Sequence, residues 1–301
     1  MGDKDIAEKL LIAYNDVAAD IINVLVCNGQ RLVKQEDLQT ASTLSQYKFL
    51  GDMHHQERDV AKFLLDGKSS AILTCCGFEN QTKVDKTMPI RVLAYDALSY
   101  RSQTGNKGLH EVITLVLYFG TSHWNASHNL QGCITNKSPI FPDTMRNDYK
   151  INVFEIAYLT PEQVNMFQSD FRYVADYVVQ KRINKNYIPP KGTVKHVEEV
   201  LNTLTAISGV SDFVDIIPVV KEKGENRMDA MIARFIKSAE DRGEARGVAR
   251  GEARGKIEAS IATATDMIKD GLPASMIVKY SRLSLEKLQE LAKSLNTTLV
   301  M

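Results

Sequence analysis

Two acids, Asp59 and Glu79, stand where they could do chemistry together. Asp59 precedes an apolar run from Val60 to Leu65, and Glu79 lies late in a second run from Ala71 to Val84, with Asp66-Gly67-Lys68-Ser69 between the runs. Apolar runs joined by such turn residues predict a β-hairpin, and pairing would bring both acids toward one pocket. Side chains alternate along a strand, so Glu79, Gln81, Lys83 and Asp85 share one face while Phe78, Asn80 and Val84 take the other. A hard divalent cation such as Mg²⁺ or Mn²⁺ prefers oxygen ligands, commonly one or two carboxylates with water and phosphate. Asp59, Glu79 and the Asn80 carbonyl would supply that set, and Gln81 would place a water by hydrogen bond. The plainer alternative is a strand face that simply meets water.

A helix should follow the hairpin. Asp85 or Thr87 can cap it, Pro89 suits its first turn, and Ile90, Leu93, Ala94, Ala97 and Leu98 recur at helical spacing. Arg91 and Tyr95 share one face of that helix, as phosphate contacts or as a surface ion pair and a core aromatic. Asp59, the run Gly77-Phe78-Glu79-Asn80-Gln81-Thr82 and the pattern Asp85-x-x-Met88-Pro89-x-Arg91-x-x-x-Tyr95-Asp96 together resemble the signature of the recombination-promoting, transposase-like nucleases. These belong to the PD-(D/E)XK nuclease superfamily. The resemblance implies a Mg²⁺-dependent DNA endonuclease of recombination or phage-defence type. Its fold would be α/β, a restriction-endonuclease-like PD-(D/E)XK core with a mixed central sheet flanked by helices. Asp59 and Glu79 would bind metal, with Arg91 and Tyr95 against the same site. Gln81 occupies the place of the usual lysine, a departure: an amide orients and donates hydrogen bonds but brings no charge. Lys83, on the same face, is the candidate replacement.

Composition limits the remaining choices. The 301 residues are 44% hydrophobic, enough to fill one large core or two. Lys and Arg number 37 and so do Asp and Glu, so any DNA contact must be local. The densest basic segment begins at Lys181-Arg182, a candidate phosphate-contacting edge or an ordinary solvated loop. Four cysteines lack metal or redox spacing, which points to reduced thiols in a cytosol. The N-terminal segment, broken by acids, does not read as a signal peptide, and no stretch reaches the ~20 apolar residues of a membrane span. His123 and His128 have no cysteine or acidic companion and argue poorly for zinc.

The other elements must hold the hairpin. A long helix is expected from about Asp5 to Cys27, with Asp20 on its polar stripe; the superfamily resemblance makes Asp20 a candidate third metal ligand. Residues 30–58 read as a loop with a short helix. Strands are expected at Val112 to Phe119 and Ile151 to Leu159, then a helix from Thr160 to about Lys185 with Pro161 in its first position. The expected divisions are a nuclease domain over 1–190, a helical connector over 191–240 after Pro189-Pro190, and an all-helical C-terminal region over 241–301. Phe213 to Val220 is the last segment with any strand character.

Asp241 to Lys256 reads DRGEARGVARGEARGK, with glycine at every fourth position and arginine beside it. In a helix the glycines form one row, each costing about 0.5–1 kcal/mol relative to alanine. A partner helix approaching that row would compensate, most simply from a second copy of the chain in a homodimer; the alternative is a charged linker. Three short helices follow, Ile257 to Asp270, Pro273 to Tyr280 and Leu285 to Leu295, as a small interaction module with only thin helix-turn-helix character. The family resemblance extends here and implies a shorter C-terminal product of the same gene that restrains the full-length nuclease.

Overall fold

A buried lysine sets where the first helix begins. Lys62 is 1% exposed, and its ammonium donates to the Ala13 carbonyl at 2.6 Å, Asn15 Oδ1 at 2.9 Å and Thr40 Oγ1 at 3.0 Å. With the Ala13 carbonyl diverted, Tyr14 is extended at ψ 132, and helix α1 runs Asn15–Leu25 instead of continuing unbroken from Asp5. The computed structural model describes residues 11–41, 44–49, 52–68, 71–104, 108–183, 187–209, 212–224, 226–234, 257–295, 297 and 299–300.

The stretch expected to be a loop with a short helix forms strands instead. A 3₁₀ turn at Gln35–Asp37 leads into β1 (Leu38–Thr40), followed by β2 (Leu44–Phe49) and β3 (Asp52–Glu57). Among the described residues β2 and β3 pair only with each other, from Leu44↔Glu57 to Phe49↔Asp52. A two-stranded ribbon outside the main sheet need not alternate apolar and polar residues, so its sequence lacks the usual signal.

The predicted hairpin is β4 (Val60–Leu65) and β5 (Ile72–Gln81), antiparallel from Val60↔Phe78 to Leu65↔Ile72. Helix α2 (Met88–Ser102) then crosses over to β6 (Glu111–Tyr118), parallel to β5, and β7 (Asn152–Glu155) adds in parallel beside β6. The result is a mixed five-stranded sheet in the order β1-β4-β5-β6-β7. Phe78, Leu115 and Leu117 share a core with Val17 and Ile21 of α1. Met88 and Val92 of α2 pack with Val116, Tyr118, Trp124 and Ile151. With helices packed against the sheet, the class is α/β.

The helix expected from Thr160 to Lys185 is two helices. Its capping box forms as read, Gln163 N–H donating to Thr160 Oγ1 at 3.2 Å and Thr160 N–H to Gln163 Oε1 at 2.9 Å. But α3 (Pro161–Met166) stops where the amides of Gln168 and Ser169 donate to Asp20 Oδ2 at 2.8 and 2.7 Å, and α4 (Phe171–Ile183) starts afresh. Beyond Pro190 come α5 (Val197–Ser208), α6 (Asp212–Asp215), α7 (Ile217–Glu222) and α8 (228–234). Val200, Leu204, Phe213 and Met231 join the same core as Phe78, so this stretch is packed into the unit that holds the sheet. Phe213 to Val220 forms no strand: it spans the end of α6, a turn at Ile216 and the start of α7, with Pro218 in the first turn of α7.

The chain divides into two units, Met1–Phe235 and Ile236–Met301. In the second, α9 (257–269), α10 (Ala274–Ser281) and α11 (Leu285–Ser294) enclose Ala264, Ile268, Ile277, Leu288 and Ala292, the expected three helices. The Gly-Arg repeat at 241–256 lies outside the described residues. Among the described residues no helix is long and apolar enough to cross a membrane.

Candidate active site

A step in the sheet creates the site. β4 pairs with β5 only as far as Val60↔Phe78, so Glu79, Asn80 and Gln81 run past the start of β4 with β6 on one side only. Asp59 fills the gap: its Oδ2 accepts the Asn80 N–H at 2.7 Å. The Gln81 carbonyl accepts from Phe119 N–H at 2.8 Å on the β6 side. Backbone groups of successive strand residues point in opposite directions, so the Asn80 carbonyl turns toward Asp59.

Glu79 lies on the α2 face of the sheet and is 0% exposed. Its Oε2 is 3.1 Å from Arg91 Nη2, while Arg91 Nη1 is 3.1 Å from Asp85 Oδ2 and Arg91 Nη2 donates to the Tyr95 hydroxyl at 3.3 Å. Asp85 is itself fixed, its Oδ1 accepting from Thr87 N–H at 2.8 Å and Thr87 Oγ1 at 2.7 Å. One guanidinium therefore spans two carboxylates across the first turn of α2, an arrangement that arginine's forked donors suit.

Burial, and next the negative charge of Asp59, push the Glu79 carboxyl up to about 8 from 4.5; Arg91, the Tyr95 hydroxyl and Arg58 pull the other way and are outweighed. Glu79 Oε1 is buried with no hydrogen-bond partner. A buried carboxylate oxygen left open is uncommon and calls for a ligand or a strained role. Together with Asp59 and the Asn80 carbonyl it forms a hard oxygen set that fits a divalent cation. The set holds two acids only: among the described residues no three of His, Cys, Asp and Glu gather as a metal cluster.

Asp20, read from the resemblance as a candidate third ligand, has both oxygens engaged elsewhere. Arg31 Nη1 bonds its Oδ1, and its Oδ2 holds the turn between α3 and α4, so both oxygens serve the fold. Lys83 is exposed beyond the end of β5, where the alternation that set it beside Glu79 has stopped. Gln81, the last residue of that strand, is half-buried. Lys181 and Arg182 are not brought to the pair. Arg182 donates through Nε to the Ala157 carbonyl at 2.7 Å and lies 4.4 Å over the Tyr158 ring, while Lys181 Nζ is 5.7 Å over Tyr177. Both interactions help hold α4.

Sequence reasoning missed a second buried cluster beside the first. Arg58 Nη2 donates to Asp96 Oδ1 at 2.6 Å, Thr114 Oγ1 donates to the same oxygen at 2.7 Å, and the Tyr149 hydroxyl donates to Asp96 Oδ2. Gly77 leaves the room for it, since a Cβ there would meet Arg58 Nη1 at 2.8 Å and Thr114 Oγ1 at 2.9 Å. The only local clue is adjacency, Arg58 to Asp59 and Asp96 to Tyr95.

Residues 9–210, more than half of the chain, match the family described as "Putative transposase, YhgA-like". No curated protein and no solved structure matches the chain. Every residue whose pattern resembles the recombination-promoting, transposase-like nucleases lies inside the matched span, and the chain belongs to the YhgA-like transposase family.

Proposed function

We propose that the chain is a metal-dependent DNA endonuclease of the recombination-promoting type, with a PD-(D/E)XK core. The observation that supports this best is the pairing of half-buried Asp59 with fully buried Glu79 at the step of the sheet, with Glu79 Oε1 left without a hydrogen bond. Asp59, Glu79 and the Asn80 carbonyl would hold Mg²⁺ or Mn²⁺. Such an ion, when bound, polarises a phosphate and lowers the pKa of water. Arg91 supplies the cationic group that Gln81 lacks, and its distance of 3.1 Å from Glu79 Oε2 keeps it beside the site. Asp85 orients Arg91 from behind. Gln81 orients a water or a phosphate oxygen, and the Tyr95 hydroxyl donates toward the same carboxylate. DNA is the substrate in this reading, and a homodimer through the Gly-Arg repeat, restrained by a shorter C-terminal product, is the proposed assembly.

Gln81 at the place of the usual lysine favours one other reading, a nuclease fold that binds DNA without cutting it. Plasmid nicking in Mg²⁺ and in EDTA separates the two. The endonuclease reading expects metal-dependent nicking that Asp59→Ala and Glu79→Ala each abolish with the fold intact. Equal nicking by either purified variant would refute it.

A further inference from the structure

We infer that the loop over 129–146 is a docking groove for one nucleic-acid strand beside the carboxylate pair, taking an unstacked base against Phe141 and phosphates on Lys86 and Lys137. The inference rests on the nuclease reading and assigns where the strand lies.

The groove is a cavity of about 320 Å³ lined by Gln131, Ile134, Lys137, Phe141, Met145 and Arg146 among others. Its apolar walls are unusually open to solvent for one loop: Ile134 is 41% exposed, Phe141 57% and Met145 68%, and the neighbouring Ile140, outside the cavity lining, is 82% exposed. Clustered exposure of this kind marks a binding surface. The loop is also tied in shape. Arg146 bonds Asp143 and donates to the carbonyls of Ser138 at 2.6 Å and Phe141 at 2.8 Å, and Gln131 Nε2 donates to the Asn147 carbonyl at 2.7 Å. A wall held in place before the ligand arrives loses little freedom on binding.

Position and charge select the occupant. Cys133 Sγ donates to the Lys86 carbonyl at 3.3 Å, which sets the loop against the segment that carries Asp85, the partner of Arg91. Lys83, Lys86 and Lys137 are exposed and have no carboxylate partner among the described residues. The nearby acids are occupied: Asp143 with Arg146, Asp85 with Arg91, and Asp148 with the amides of Gln131 and Tyr149. Uncompensated lysines around an aromatic and apolar wall suit a single strand, whose phosphates meet the cations and whose bases stack or pack on the wall.

The test uses the full chain in EDTA with a fluorescein-labelled single-stranded oligonucleotide, and a second oligonucleotide containing 2-aminopurine. Phe141→Ala and Lys137→Glu should each weaken binding, Phe141→Ala about tenfold, with unchanged thermal unfolding, and Phe141→Ala should abolish the change in 2-aminopurine emission that wild-type binding produces. Unchanged affinity in both variants overturns the inference, and so does a wild-type chain that binds no oligonucleotide. A change in mass by light scattering caused by Phe141→Ala would mean that a second copy covers the groove, and also overturns it. Metal-dependent nicking with unchanged KM in both variants would sink the groove and leave the nuclease standing. Oligonucleotide binding lost in Phe141→Ala, by a wild-type chain that never nicks, would do the reverse.

Discussion

Asp96 and Glu79 are both buried acids between α2 and the sheet, and each faces an arginine, but their surroundings differ. Both Asp96 oxygens are engaged, Oδ1 by Arg58 and Thr114 and Oδ2 by Tyr149. Glu79 has Arg91 on Oε2 and nothing on Oε1. Burial raises the pKa of both acids, yet only Glu79 also meets a second negative charge nearby, that of Asp59. The Asp96 carboxylate is satisfied at both oxygens, and the orphan in its cluster is a donor, Arg58 Nη1, whereas at Glu79 the acid itself keeps an open oxygen, which is unfavourable for the folded chain until something fills it. The contrast ties Asp96 to the fold and is what supports the proposed functional role of Glu79.

The largest expected effect lies on the closed side. Arg58→Met leaves Asp96 buried without its countercharge and should cost about 3–5 kcal/mol in urea unfolding. A loss below about 1 kcal/mol would remove the distinction between the clusters. On the open side, Asp85→Asn keeps an oxygen for Thr87 but takes away the charge that orients Arg91. Nicking should slow by about tenfold to a hundredfold in kcat with KM little changed and the unfolding midpoint preserved. A loss confined to KM would instead make Arg91 a simple binding contact.

Glu79→Gln should act in the opposite direction on stability. In the unfolded chain Glu79 ionises near 4.5, while the folded chain holds its proton to higher pH, so folding becomes less favourable as pH rises from about 4.5 toward the folded value. The glutamine variant lacks this penalty. Its melting temperature should match the wild type at pH 4.5 and exceed it by about 2–4 °C at pH 8, for a gain of about 1 kcal/mol. A gain that is the same at both pH values would argue that packing, not charge, is responsible.

The hairpin, the crossover helix, the Thr160 capping box and the three C-terminal helices were legible because each is a local pattern: turn residues, period, cap. The face that Glu79 shares with Gln81 followed from strand alternation, and that alternation stops short of Lys83, because the strand ends at Gln81. The start of α1 at Asn15 was hidden, because it depends on Lys62 of β4 reaching the Ala13 carbonyl. The partners of Asp20 were hidden for the same reason. No spacing indicates that an acid on the first helix will hold the amides of Gln168 and Ser169. The Arg58 and Asp96 pair and the link from Asp85 to Arg91 depend on the packing of α2 against the sheet, which no local period encodes.

The central claim is that Asp59 and Glu79 share one hard ion. Calorimetric titration of the full chain with Mn²⁺ at pH 7, in buffers of different ionisation enthalpy, tests it without requiring cleavage. The account predicts one binding event that releases up to about one proton, because a ligating carboxylate must be ionised, and loss of that event in both Asp59→Asn and Glu79→Gln. Mn²⁺ binding of undiminished affinity in either variant would contradict it.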